Sequence, residues 1–104
     1  MEVQVTTDNN IQGSASRNEW MGSEINSKLS RFAEHVMKVD VHLADESGPK
    51  DTPGDKRCIL QANVKGRPSI VSNHHADTVE EAFNGSVTKL KAALASFVDQ
   101  LKEH

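Results

Sequence analysis

At 104 residues the chain has room for one domain, residues 1–104, with a single modest hydrophobic core. Its formal net charge of -3 excludes an overall basic nucleic-acid binder, so any anionic partner must meet a local patch. A single cysteine excludes an internal disulfide, "MEVQVTTDNN" has neither the basic nor the apolar part of a signal peptide, and no run approaches a membrane span. The expectation is a reduced, soluble, cytoplasmic protein with no membrane partner.

The opening "VQVTT" alternates apolar and polar residues, the period of a half-buried strand, and "DNNIQGS" ends it. Met21, Ile25, Leu29, Phe32 and Val36 then recur at three- and four-residue spacing, and Ser16 with Glu19 has capping-box spacing. This predicts a helix from about Arg17 to His35, weakened at Gly22 by roughly 1 kcal/mol relative to Ala. "KVDVHLAD" returns to period two, with Val39, Val41 and Leu43 on one face and Asp40 and His42 on the other. "ESGPKDTPGD" reads as a connection whose acidity suits no phosphate loop. In "RCILQANV" Cys58, Leu60, Ala62 and Val64 share a face, and "KGRP" supplies a turn into "SIVSNHHA", so these runs form a hairpin. Thr78 with Glu81 repeats the capping-box spacing ahead of an apolar stripe from Val79 to Leu101, a second helix running nearly to the C-terminus.

The element order is β-α-β-β-β-α, an α+β fold. A right-handed crossover makes the first two strands parallel, and the short turn makes the last two antiparallel. Each helix has one apolar stripe, so both should pack on one face of a four-stranded mixed sheet. The opposite face carries Gln4, Thr6, Asp40, His42, Arg57, Gln61, Asn63, Asn73 and His75, and it is polar enough for solvent or a partner.

The cysteine and the adjacent histidines invite a chemical reading. Neighbouring strand residues point to opposite faces, so His74 and His75 cannot share a metal without a bulge. Cys58 falls on the apolar face as a small buried hydrophobe, with no base aimed at it and no orienting group behind. His42 and His75 share the open face, yet three converging ligands are not evident. No glycine-rich phosphate loop or carboxylate-histidine motif is present. The expectation is a binding module with no catalytic residue, metal or cofactor.

Basic residues mark the candidate surface. Lys28, Arg31, His35 and Lys38 follow each other by three, four and three positions along the predicted helix and its exit, where cations also suit a helix C-terminus. Lys65 and Arg67 flank the hairpin turn, within reach of a phosphate. Asp77, Glu80 and Glu81 at the start of the second helix read as capping and dipole residues.

The first strand with "DNNIQGS", "INSKLSRF" before "VDVHLADE", "DKRCILQANV" and "ADTVEEAFNGSVTKLKAAL" together resemble the family of ribosome hibernation-promoting factors and ribosome-associated inhibitors, once labelled sigma-54 modulation proteins. The likeness covers nearly the whole chain and is most specific in the A-x-N-x-x-x-x-K-L register of Ala82, Asn84, Lys89 and Leu90. It implies a double-stranded-RNA-binding-like fold. It also implies a small-subunit partner and its ribosomal RNA, contacted in the decoding region to restrain translation in stationary phase or stress. DNA is not an expected partner, and a monomer is the working expectation. Lys28, Arg31 and Lys89 fall on family positions that are basic and face ribosomal RNA; with Lys38, Lys65, Arg67 and Lys91 they form the candidate RNA-binding set. Packed side by side, the helices could bring Lys28 and Arg31 near Lys89 as one positive rim. Ala92 and Ser96 stand where relatives carry more basic side chains. That departure keeps an alternative open, a protein-interaction module of the same fold that has lost ribosome binding.

Overall fold

A computed structural model describes residues 1–47 and 53–102. The strands are β1 (Glu2–Thr7), β2 (Val36–Asp45), β3 (Lys56–Val64) and β4 (Ile70–Ala76), and the helices are α1 (Ala15–Lys28) and α2 (Val79–Lys102). The sheet order is β1-β2-β3-β4, with β1 parallel to β2 and the remaining pairs antiparallel. This is the predicted α+β topology.

Alternation decides which face is covered. Val39, Val41 and Leu43 of β2 and Cys58, Leu60, Ala62 and Val64 of β3 are buried together with Met21 and Ile25 of α1 and Phe83, Val87, Leu90 and Leu94 of α2. Both helices therefore lie on one face, and each fully buried Leu or Phe contributes about 1.5–3 kcal/mol. Val36 and Val39 are both buried although three positions apart, which breaks period two. The register resolves this by shifting between Val36, opposite Val64, and Lys38, opposite Asn63. Met37 is the extra residue of that bulge, and its side chain is left 54% exposed.

The first helix departs from the expected Arg17–His35. Its N-cap is Ser14, whose side chain accepts from the Arg17 backbone N–H at 3.2 Å, so the predicted Ser16 cap is two residues late. At the other end α1 stops at Lys28, and a single 3-10 turn, Ser30–Phe32, follows. Leu29 and Phe32 are both fully buried, and a spacing of three satisfies a 3-10 turn as well as an α-helix, so periodicity alone cannot tell them apart. Lys28, Arg31, His35 and Lys38 consequently do not form a helical stripe. They belong in turn to a helix, a 3-10 turn, a turn and a strand. The cap of α2 is as predicted, with the Glu81 backbone N–H donating to Thr78 Oγ1 at 3.1 Å. Such a cap contributes about 1 kcal/mol.

Because β1, β2 and β4 run the same way, α1 and α2 both return in the opposite direction, parallel to each other. Both helix N-termini lie at one end of the sheet with the β2–β3 connection, here called the loop end. Both helix C-termini lie at the other with the β3–β4 turn, the turn end. In that turn Gly66 takes a left-handed φ of 78°, a conformation glycine adopts without a Cβ clash. The Lys65 backbone N–H donates to the His35 carbonyl at 3.1 Å, which ties the turn to the entrance of β2.

Candidate nucleic-acid interface

Charge is arranged differently at the two ends. At the loop end Asp45 and Asp55 are nearly buried, and Lys56 answers both, with Nζ 3.3 Å from Asp45 Oδ2 and 2.7 Å from Asp55 Oδ1. The hydrogen bond that Lys56 Nζ donates to Asp55, joined by that to Asp45, holds its ammonium above its ordinary value. Glu46 contacts His75 at 2.6 Å and Arg57 at 3.6 Å. Asp8 accepts from the backbone N–H groups of Asn10 and Asp45 at 2.9 and 3.2 Å, and Asp77 accepts from the Gly54 N–H at 2.6 Å. These carboxylates are engaged in holding connections closed.

At the turn end the cations are freer. Among the described residues Arg31, Lys65, Arg67 and Lys102, together with Lys91 midway along α2, have no carboxylate within ion-pair distance, and all five are exposed. Two of them rest on aromatic rings, Arg31 with its guanidinium carbon 4.7 Å from the Phe32 ring centre and Arg67 4.7 Å from that of Phe97. His35 meets the Phe97 ring edge-on at 6.0 Å. Ring contact orients a guanidinium without neutralising it, so its charge stays available. Lys28 pairs with Glu24 at 3.4 Å and Lys38 with Asp40 at 3.3 Å, both partly exposed. Surface pairs of this kind contribute at most about 1 kcal/mol, so a phosphate can displace either carboxylate at small cost. Glu2 and Asp99 are exposed acids on this half with no ion-pair partner among the described residues, and exposed Glu34 meets only the His35 ring, at 3.4 Å.

Helical phase divides the α2 lysines. Lys91 follows buried Leu90 on the flank that also carries half-buried Val98 and faces α1. Trp20 of α1 and Phe83 of α2 are in ring contact at 5.4 Å. Lys28 follows Trp20, and Lys91 follows Phe83, by the same number of residues, so parallel helices bring both cations to one level roughly 12 Å further along. Lys89 emerges on the other flank, where its Nζ donates at 3.0 Å to the Asn73 carbonyl on the free edge of β4. Below it a groove of about 240 Å³ runs along the same flank, lined by Arg67, Ile70, Ala93, Ser96, Phe97 and Gln100. Lys89 therefore stands across α2 from the flank that faces α1, where it does not join the expected rim with Lys28 and Arg31, and Lys91 is the lysine of that flank.

The family profile described as "Sigma 54 modulation protein / S30EA ribosomal protein" matches residues 3–102. The chain belongs to this family. A search of curated protein sequences finds no match. Among solved structures, the Thermus thermophilus Protein Y N-terminal domain superposes with a TM-score of 0.73 at 14% identity, covering 93% of this chain and 99% of that one. A ribosomal subunit interface protein from Coxiella burnetii gives 0.67 at 18% identity, covering 95% and 99%. At such identities the likeness is one of fold, and the profile match carries the family, one of ribosome-associated modulation factors.

Within this S30EA-family domain the reactive residue types are otherwise occupied. Cys58 is fully buried, and loss of hydration pushes its thiol up to about 12, only partly opposed by a hydrogen bond with Ser86. His42 contacts the Thr6 hydroxyl at 3.0 Å and His75 contacts Glu46, so the two open-face histidines have separate partners. His74 lies on the covered face against Gly85, where a Cβ would collide with its ring. Among the described residues no group of three or more His, Cys, Asp or Glu could hold a metal ion, and no helix is long and apolar enough to cross a membrane. The Arg67–Phe97–His35 contact escaped the sequence reading because it joins three elements distant in sequence. Trp20, 39% exposed, escaped it because its position relative to α2 depends on how the helices pack.

Proposed function

We propose that the chain acts as a single non-enzymatic cytoplasmic domain that binds small-subunit ribosomal RNA in the decoding region and restrains translation in stationary phase or stress. The turn end is its RNA-facing surface, with Arg31, Lys65, Arg67 and Lys91 as phosphate contacts and Lys28 and Lys38 exchanging their carboxylates for RNA. The observation that carries this reading is the presence, in a member of a ribosome-associated family, of exposed cations with no carboxylate partner among the described residues, Arg31, Lys65, Arg67 and Lys102 at the turn end and Lys91 midway along α2, on a net-negative molecule. Local excess charge is what such a protein needs to meet a polyanion, because phosphate contacts supply the affinity of this class of complex. The occupied histidines and buried thiol support a binding role over a catalytic one. The Coxiella burnetii relative is described as a ribosomal subunit interface protein, and we carry that location over as part of the proposal.

Sedimentation with purified small subunits at low and high salt tests it. Co-sedimentation at low salt that weakens as salt rises is the expected result. Absence of co-sedimentation at either salt, with capture of a protein instead, would replace it by the interaction-module alternative.

A further inference from the structure

We infer that Trp20, on the α2-facing flank of α1, is a stacking platform for an unpaired base of a strand that runs from the turn-end cations along the helices, so that RNA binding reads a nucleobase as well as phosphates. The inference rests on the RNA reading above and adds a contact that phosphate binding alone does not need. Trp20 is the sole tryptophan of the chain, and 39% of it is exposed on a helical layer whose other large apolar side chains are mostly buried. Its ring leans on buried Phe83, with centroids 5.4 Å apart and planes tilted by 55°. The indole is thus propped from beneath while part of its surface meets solvent.

The surroundings favour a nucleic-acid strand. Trp20, Glu24 and Lys28 succeed each other every four residues on the α2-facing flank of α1, and Glu24 is already held by Lys28 at 3.4 Å. On α2, Glu80 is exposed one turn before Phe83, and beyond it exposed Asn84 and Thr88 lead to unpaired Lys91. A base on Trp20 therefore has cations roughly 12 Å away on both helices, within the reach of the next one or two phosphates of the same strand. An exposed aromatic with cations within reach of the neighbouring phosphates is how sequence-tolerant contact with single-stranded RNA is made, since every base has a face to stack.

The chain lacks tyrosine, so intrinsic emission reports on Trp20. A short oligoadenylate should quench that emission saturably, and an abasic strand of equal length, with the same phosphates and no bases, should bind more weakly and leave it nearly unchanged. Trp20→Ala should weaken oligoadenylate binding about tenfold while leaving abasic-strand binding in place, and Trp20→Phe should retain most of the affinity. Thermal melts check that the variants fold; should Trp20→Ala fail to, the parent quench and Trp20→Phe decide the matter. Equal losses for both strands would assign Trp20 a structural role and overturn the inference, as would emission unchanged at saturation with small subunits while binding persists. In that last case ribosome binding stands and stacking falls. If the parent binds neither strand nor small subunits, the RNA reading itself has failed.

Discussion

At the loop end Lys56 sits between two nearly buried carboxylates at 2.7 and 3.3 Å, whereas at the turn end Arg67 rests on a phenyl ring and Lys65 faces no acid among the described residues. At the loop end Asp45, Glu46, Asp55, Lys56 and Arg57 spend their charges on one another and on His75. The connections at that end are long, and engaged carboxylates close them. The turn end needs no such help, because Gly66 and the Lys65–His35 backbone bond already fix the hairpin, so its cations are left for another molecule. Counting charges would not reveal this division, since the difference lies in how each is partnered.

The sharpest way to break the comparison is to neutralise the turn end. Replacing Arg31, Lys65, Arg67 and Lys91 by Ala should lower small-subunit affinity about a hundredfold or more at low salt. It should also flatten the slope of log affinity against log salt by roughly 3 units, at about 0.7 per phosphate contact. Each change should shift stability by less than about 0.5 kcal/mol, with up to about 1 for Arg67 through its ring contact. Sedimentation across a salt series together with urea melts measures both. An unaltered slope would remove these four residues from the interface.

Alkali should strike the fold instead. The Cys58 thiol is raised from 9.0 to about 12, so between those values the unfolded chain loses a proton that the folded chain keeps. Stability then falls as pH rises, by up to about 1.4 kcal/mol per unit. Lys56, also raised, acts in the same direction: its contribution is intact below its ordinary 10.5 and is lost as pH climbs through the folded value. Urea midpoints across this range should drop steeply in the parent, less so in Cys58→Ala and less so in Lys56→Met.

A third test stays in the loop-end half of α2. Gly85→Ala places a methyl where the His74 ring lies, and the overpacking should cost about 1–3 kcal/mol despite the better helix propensity of Ala. Adding His74→Ala should recover much of that loss, and RNA affinity should hold throughout. The smallest effect is expected at Lys89. Its ammonium is committed to the Asn73 carbonyl, so Lys89→Ala should weaken RNA binding by less than about fivefold and change the salt slope by no more than about 0.7. A larger change would move the interface toward the β4 flank.

Much of the fold could be read from alternation, because strands covered on one face announce themselves: Val39, Val41 and Leu43 are buried as their period requires. The end of α1 could not, since Leu29 and Phe32 keep the same spacing in an α-helix and in a 3-10 turn. The bulge at Met37 was hidden for a related reason. Val36 also fits a four-residue step from Phe32, and nothing local marks where helical spacing gives way to strand pairing. For the site, residue type and the family register brought out the cations, while their grouping required the phase of α2. Lys89 and Lys91 are two positions apart in sequence and stand on opposite flanks of the helix.

The shared direction of α1 and α2 has a consequence for how the molecule meets its partner. Each helix carries roughly half a negative charge at its C-terminus, and both such ends lie directly behind the turn-end cations, with Lys28, Arg31 and Lys102 in the last turns. The α2 N-terminus sets the opposite partial charge behind Glu80 and Glu81, whereas the first turn of α1 carries no acid. Side-chain charge and backbone field therefore oppose each other at both ends, and the potential of this net-negative protein decays quickly with distance. A polyanion feels little pull from afar and meets strong cations only on contact. On the proposed RNA reading, arrival is weakly guided, and affinity should be set by the dissociation rate more than by the association rate.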